Sequence, residues 1–317
     1  MNDQKNEEVF IMSKSKLVTG LYVPTVTPFN ADESINFSGI KECTEFLIKN
    51  GIGGLIPCGS TGEIVALTQE EQIAVNKATI EAADHRVKVF ASCGAYTTKR
   101  AVEMAIAAEA DGADGIMVVT PWYMAPNEDE VLKHYAAIRE AISIPIMIYH
   151  NPWYSTCLLS DEFIAKMYKE GCIDAIKERQ ADVYRQQDLR ALTDDNFSIL
   201  YGYDICPVEC VSLWGDGWVN GTGNLFPMES AVLYDLASSR KLDEAMKWHF
   251  EKVRPYLIPL FVKPMPSGIP SPWLQIIKTG MKLRGVDAGY CRKPIQELPD
   301  DVLALLKSIL KEYGYLN

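Results

Sequence analysis

Positive charge is the scarcer sign in this chain, with 31 Lys and Arg against 42 Asp and Glu and a formal net charge of −11. Binders of nucleic acid or anionic membrane cluster Lys and Arg on one surface, so this balance excludes those classes. Long hydrophobic runs are missing too: none approaches the roughly 20 residues that span a bilayer. The charged start MNDQKNEEVF lacks the basic-then-apolar order of a signal peptide, and a cytoplasmic protein is expected. Histidine is sparse, at 4 residues. The 8 cysteines show neither a CxxC pair nor Cys/His ligand spacing, which points to reduced, mostly buried thiols and no metal. No histidine neighbours the closest pair, Cys206 and Cys210, which share a face if their segment is helical. A Gly-rich phosphate fingerprint is also absent from the first strand-like segment, GLYVPTVTPF, which disfavours an open dinucleotide-binding sheet.

What the chain does have is a core-forming composition, 48% hydrophobic over 317 residues, enough for one large domain. Short β-branched runs alternate with stretches of helical period. The strand candidates are Leu21–Thr27, Gly54–Cys58, Val87–Ala91, Gly115–Thr120, Pro145–Tyr149, Ile173–Lys177, Ser198–Tyr201 and Gly217–Asn220. Between and after them, helices are predicted over Phe37–Lys49, Gln69–Ala83, Thr98–Ala110, Glu128–Ala141, Ser160–Lys169, Val183–Leu192, Pro207–Leu213 and Met228–Ala237. Continuous apolar strands such as IPIMIY and GIMVV fit a parallel sheet covered on both faces, and eight βα units in series imply an α/β fold closed as a (β/α)8 TIM barrel. The organisation expected is a polar lead over residues 1–16, a barrel over 17–240, and a C-terminal three-helix extension over 241–317 packed on the barrel. Its helices, Leu242–Leu260, Pro272–Leu283 and Asp300–Tyr313, are separated by KPMPSGIPSP and GVDAGY.

Barrel enzymes build their sites at the carboxyl ends of the strands. Lys177 closes an otherwise apolar strand, where lost hydration lowers an amine's pKa and frees it to attack a carbonyl; the competing reading is a lysine that snorkels to solvent. Tyr149 closes the preceding strand, within reach of Lys177, and a phenol there can move the protons that imine chemistry requires; otherwise it is an amphipathic core tyrosine. The loop Gly59-Ser60-Thr61-Gly62-Glu63 can turn its N–H groups and the Ser60 and Thr61 hydroxyls on a carboxylate, or be an ordinary polar turn. Glu63 reads as a carboxylate that staples the loop.

These strand ends occur together, in this order, in the dihydrodipicolinate synthase and N-acetylneuraminate lyase superfamily, which the chain resembles from about Leu17 to its end. GLYVPTVTPF, GSTGE, VVTPWY, YHNP, the strand ending at Lys177, GYD at Gly202–Asp204, GDGWVNGTGN and GVDAGYCRKP all carry the resemblance. It implies a cofactor-free class I lyase acting on a 2-oxo acid such as pyruvate or a deoxy-keto sugar acid. In that reading Lys177 is the Schiff-base lysine and Tyr149 the proton shuttle. Thr61 and Ser60 bind the carboxylate and relay protons, and Tyr123 completes the relay from a neighbouring copy. The implied assembly is a homotetramer, a dimer of dimers, and Val219 matches the position whose backbone nears the bound pyruvate moiety. One departure stands out: dihydrodipicolinate synthases place an arginine shortly after the YNxP motif, and here Tyr154 occupies that place. A neutral phenol cannot replace a guanidinium facing a carboxylate. Trp153, Tyr154 and Trp218 instead suggest aromatic walls around a longer or less charged tail, with Asn151, Asp204, Asn220 and Asn224 meeting its hydroxyl or amino groups; Asp204 can equally cap the next helix. Aldol cleavage, dehydration and deamination stay open. So do 4-hydroxy-tetrahydrodipicolinate synthase, with Arg179 or Arg185 standing in for the missing arginine, a non-catalytic keto-acid-binding paralogue, and a phosphate site at Gly221–Asn224.

Overall fold

Eight parallel strands close on themselves in the computed structural model, which describes residues 18–180, 182–213 and 215–317. The expected polar lead, residues 1–16, lies outside the described residues. The strands are β1 (Gly20–Pro24), β2 (Gly54–Ile56), β3 (Lys88–Ser92), β4 (Gly115–Val119), β5 (Ile146–His150), β6 (Ala175–Glu178), β7 (Ser198–Tyr201) and β8 (Gly217–Val219). Each pairs with the next, and β8 returns to β1 through Gly20↔Gly217 and Tyr22↔Val219.

Alternate side chains of each strand enter the barrel. The inner set, Tyr22, Ile56, Phe90, Met117, Met147, Tyr149, Ala175, Leu200 and Val219, forms one cluster. The outer set, which includes Leu21, Leu55, Val89, Ile116, Ile148, Ile176, Ile199 and Trp218, belongs to the larger cluster beneath the helices. Both sets are buried, so the strands read as unbroken apolar runs. Glycine makes room for the large inner rings: a Cβ on Gly54 would sit 2.2 Å from the Tyr22 ring, and one on Gly115 2.4 Å from that of Phe90. Those two rings meet edge-on with centroids 5.4 Å apart.

Six of the predicted barrel helices coincide with the observed ones, because side chains mark where most of them begin. Thr68 with Glu71 and Asn127 with Glu130 form reciprocal capping boxes, while Asn36, Thr97 and Asp182 cap the first turns that follow them. Ser160, expected as a first helical residue, is itself the cap of Asp161–Lys169. Pro227 starts the helix expected from Met228. The first strand ends at Pro24 rather than Thr27, since the chain there leaves the ladder for a loop in which the Thr27 hydroxyl donates to the Gly62 carbonyl at 2.7 Å. The sixth spans Ala175–Glu178, starting later than expected and running one residue past Lys177.

The long helix expected over Leu242–Leu260 is instead broken into Leu242–Trp248, a wide π turn at His249–Val253, Arg254–Leu257 and a second π turn at Ile258–Val262. Pro255 and Pro259 have no N–H to continue an α ladder, and the wider turns accommodate them. Helices Trp273–Leu283 and Asp300–Glu312 complete the extension. It packs on the barrel through aromatic contacts: Phe226 stacks on Tyr256 with centroids 3.8 Å apart and meets Tyr313 at 5.2 Å. Among the described residues, no helix is long and apolar enough to cross a membrane.

Candidate active site

Tyr149 on β5 and Lys177 on β6 are direct register partners, and strand alternation turns both inward at the carboxyl end of the barrel. Lys177 is 5% exposed, and its Nζ lies 3.9 Å from the centroid of the Tyr149 ring. Gly202 beside it must be small, because a Cβ there would fall 2.9 Å from Lys177 Cγ. Burial, then repulsion from Arg179, pull the Lys177 amine down to about 7, against the opposing pull of Asp204.

A second buried lysine shows what is unusual about the first. Lys278, 2% exposed, donates to Glu63 and to the carbonyls of Thr27 and Tyr290 at 2.7 and 2.6 Å. Its three protons are all accepted, as a buried ammonium requires. Lys177 Nζ has no hydrogen-bond or ion-pair partner among the described residues. A buried amine left bare is stable in its neutral, nucleophilic form.

Burial raises the pKa of the Tyr149 hydroxyl, opposed by Arg179 and by hydrogen bonds from Ser60 and Asn151. Asn151 Nδ2 donates to the phenol oxygen at 2.8 Å, so the phenol's own proton remains free to point into the barrel. The loop after β2 supplies donors: the amides of Ser60 and Thr61 have no protein acceptor among the described residues. Glu63 fixes this loop through Lys278 and by accepting the Arg292 N–H at 3.0 Å.

One residue further along the same two strands, the side chains point outward and form a buried bracket. His150 and Glu178 are both fully buried, with Nδ1 to Oε2 at 2.8 Å. The Leu159 N–H donates to Nε2 at 3.2 Å, which assigns the ring proton to Nδ1. Glu178 also accepts from Arg185 Nε at 2.8 Å, and Arg185 pairs with Asp161 at 3.0 Å. Sequence reading missed this bracket, although the register that pairs Tyr149 with Lys177 also pairs His150 with Glu178. Arg185 is held there by Glu178, Asp161 and the Leu159 carbonyl and does not line the cavity, whereas Arg179 does.

The mouth opens into a cavity of about 660 Å³. Ser60, Thr61, Tyr149, Lys177, Tyr154, Asp204 and Val219 line it, together with Trp153, Arg179 and Tyr203. Its far wall comes from the C-terminal extension, including Leu257, Phe261, Lys263 and Trp273, a contribution that local periodicity does not reveal. Gly59 and Asn151 stand behind the lining, Asn151 as the support of Tyr149. Trp218 does not belong to the site. It is 1% exposed on the outer face of β8, and its Nε1 donates to the Tyr203 carbonyl at 3.0 Å. With Val219 turned inward, its neighbour must turn outward. Tyr123 is 82% exposed and does not line the chain's own cavity. Asn220 is consumed internally by Ser230, Thr222 and Gly223. Asp204 does not cap the next helix; it accepts from the Thr222 N–H at 3.4 Å, which sets a carboxylate against the proposed phosphate loop. Burial raises the Asp204 carboxyl to about 6, against the pull of Arg179. Among the described residues, no group of three His, Cys, Asp or Glu side chains is placed to hold a metal ion.

Fold and site together define a (β/α)8 barrel with a buried amine at its carboxyl-end mouth. A family model described as the dihydrodipicolinate synthetase family matches residues 17–313. Curated relatives include 4-hydroxy-tetrahydrodipicolinate synthases from Syntrophus aciditrophicus, 31% identical over 94% of this chain and 99% of that one, and from Methanococcus maripaludis strain C5, 33% identical over the same shares. Among solved structures, dihydrodipicolinate synthase from Aquifex aeolicus superposes with a TM-score of 0.86 at 27% identity, covering 94% and 99% of the two chains. YagE, a prophage protein of the dihydrodipicolinic acid synthase family from E. coli K12, solved in complex with pyruvate, gives 0.84 at 25% identity over the same shares. The chain belongs to the dihydrodipicolinate synthetase family and is a lyase of that family.

Proposed function

We propose that this lyase captures a 2-oxo acid as a Schiff base on Lys177 and makes or breaks a bond on the tail side of the captured carbonyl. The observation that carries the reading is the bare, buried Nζ of Lys177, 3.9 Å from the Tyr149 ring centroid and open to the cavity. The neutral amine attacks the ketone carbon, and a C–N bond forms while the carbonyl oxygen gains a proton. Loss of that oxygen as water leaves an iminium, and removal of a proton from the adjacent carbon gives an enamine. Tyr149 hands these protons on, with Asn151 and Ser60 holding its oxygen. Ser60 and Thr61 hold the substrate carboxylate with their free amides and hydroxyls. The iminium serves as electron sink for aldol cleavage, dehydration and deamination alike.

In the assembled protein, Tyr123 completes the relay from a neighbouring copy, within a homotetramer built as a dimer of dimers. A second reading is condensation of pyruvate with aspartate semialdehyde, the activity in the names of the relatives. Arg179 in the cavity favours it, since Tyr154 has no charge to offer a semialdehyde carboxylate.

Borohydride reduction in the presence of pyruvate tests the reading. The peptide carrying Lys177 should gain the mass of the reduced adduct, and Lys177→Ala should gain none. Labelling elsewhere, or equal labelling of the variant, removes the proposal. A coupled assay with pyruvate and aspartate semialdehyde separates the two readings.

A further inference from the structure

We propose that Cys206 and Cys210 form a peroxide-reactive dithiol beside the cavity: Cys206 takes the oxidant, Cys210 closes a disulfide with it, and the closure disturbs the wall next to Lys177.

The two cysteines stand one helical turn apart at the start of Pro207–Leu213, where the Cys210 N–H donates to the Cys206 carbonyl at 3.2 Å. That spacing puts both thiols on one face. Cys206 is partly exposed, whereas Cys210 lies buried behind it. A peroxide can therefore meet the first sulfur while the second waits in reserve.

Tyr201, the last residue of β7, prepares the outer thiol. Its hydroxyl and the Cys206 sulfur are 3.0 Å apart, and the Cys206 N–H donates to the same phenol oxygen at 3.4 Å. With its oxygen accepting from the backbone, the phenol gives its own proton to the sulfur, a bond that favours thiolate. Hydrogen bonds from Cys210 and Tyr201 hold the Cys206 thiol below its ordinary range, against burial and the charge of Glu209. The bond to Cys206 and burial push the Cys210 thiol up, so the inner sulfur keeps its proton until the outer one has reacted. A thiolate is the form that peroxides oxidise.

The chemistry closes with peroxide as the oxidant. The Cys206 thiolate attacks one peroxide oxygen; an S–O bond forms, the O–O bond breaks, and hydroxide leaves to become water. Cys210 then attacks the sulfenic sulfur, forming S–S as the S–O bond breaks, and the oxygen leaves as a second water with the Cys210 proton. Two thiols lose two electrons and the peroxide gains them.

Residues one turn apart hold their Cβ atoms about 5–6 Å from each other, and a disulfide needs about 3.8 Å. Closing it must distort the first turn and pull on the segment just before Cys206. That segment, Gly202, Tyr203, Asp204 and Ile205, lines the cavity that holds Lys177.

Alkylation and peroxide mapping test the assignment. Iodoacetamide at pH 7 should label Cys206 about tenfold or more faster than Cys291, the other partly exposed thiol, which burial pushes up to about 11. Hydrogen peroxide should remove about 2 Da from the protein. Glutamyl endopeptidase, cutting after Glu209 between the two cysteines, should then release fragments that stay joined until dithiothreitol is added. Cys206→Ser should lose both responses. Cys210→Ser should stop at the sulfenic acid, about 16 Da heavier, and Cys210→Ala repeats that arm should serine unfold the buried site. The oxidised native protein should trap pyruvate on Lys177 several-fold more slowly and recover with dithiothreitol; this arm alone rests on the Schiff-base reading. Faster labelling of Cys291, no disulfide, or one that links another pair overturns the assignment. Trapping unchanged by oxidation overturns the link to the cavity. Failure to trap pyruvate in the reduced protein removes the Schiff-base reading, while a mapped Cys206–Cys210 bond upholds the dithiol.

Discussion

Glu63 and Lys278 form a buried ion pair across 215 residues of sequence, with Nζ 2.5 Å from Oε1. Burial lowers the pKa of Lys278, and the charge of Glu63 resists that shift. The pair fastens the loop that presents Ser60 and Thr61 to the C-terminal extension, and the other Glu63 oxygen takes the Arg292 N–H.

Removing one partner of that pair strands the other charge. Lys278→Met should therefore cost about 3–5 kcal/mol in urea unfolding. Because the loop loosens, the KM for the 2-oxo acid should rise in whatever protein remains folded. A stability loss below about 1 kcal/mol would show that Glu63 finds another partner.

The pH dependence follows from Lys177. Only the neutral amine attacks, so imine formation should rise with pH through about 7 and then level. Asp204 favours the charged amine, and Asp204→Asn should move this limb to lower pH. Folding carries the matching signature. The folded pKa lies below the ordinary value of 10.5, so the unfolded chain binds the extra proton between the two and stability rises with pH across that window. Lys177→Met should therefore be more stable than the native protein near pH 7, with the gap narrowing toward pH 10. Urea titrations at the two pH values measure it.

Tyr149→Phe keeps the ring beneath Lys177 and deletes the hydroxyl proposed to carry the protons. Turnover should fall about 10²–10⁴-fold, while slow trapping of pyruvate persists. Asn151→Ala should reduce turnover less, by freeing a phenol that is still present. Loss of trapping in proportion to turnover would instead assign Tyr149 to building the pocket.

Glu178 faces the opposite way and should behave as structure. Burial pushes its carboxyl up, but the hydrogen bond from His150 and the charge of Arg185 outweigh that and hold it below the usual carboxylate range. The stability it lends is present above that range and fades as pH falls through the lowered value. Glu178→Gln should cost roughly 3 kcal/mol at pH 7 and less at acidic pH, as differential unfolding at pH 7 and pH 4 would show.

Much of this was legible because strand ends carry local signals. Lys177 interrupts an apolar run, Tyr149 closes the run before it, and glycines frame Ser60 and Thr61. Trp218 misled because its ring chemistry drew attention ahead of parity: Trp218 and Val219 are neighbours on one strand and cannot both face the cavity. Parity applied to β5 and β6 would also have exposed the His150–Glu178 bracket. The wall from Leu257 to Trp273 depends on contacts far apart in sequence, where no periodicity speaks, and the two π turns depend on how Pro255 and Pro259 share one helix.

Because that wall comes from the last quarter of the chain, order of synthesis matters. The eight strands and the amine can be complete on the ribosome while the chamber still lacks a side, leaving an open bowl through which water and metabolites pass freely. Enclosure arrives only once the C-terminal helices emerge and dock, so a nascent or prematurely terminated chain would carry Lys177 without the wall that shuts it from water.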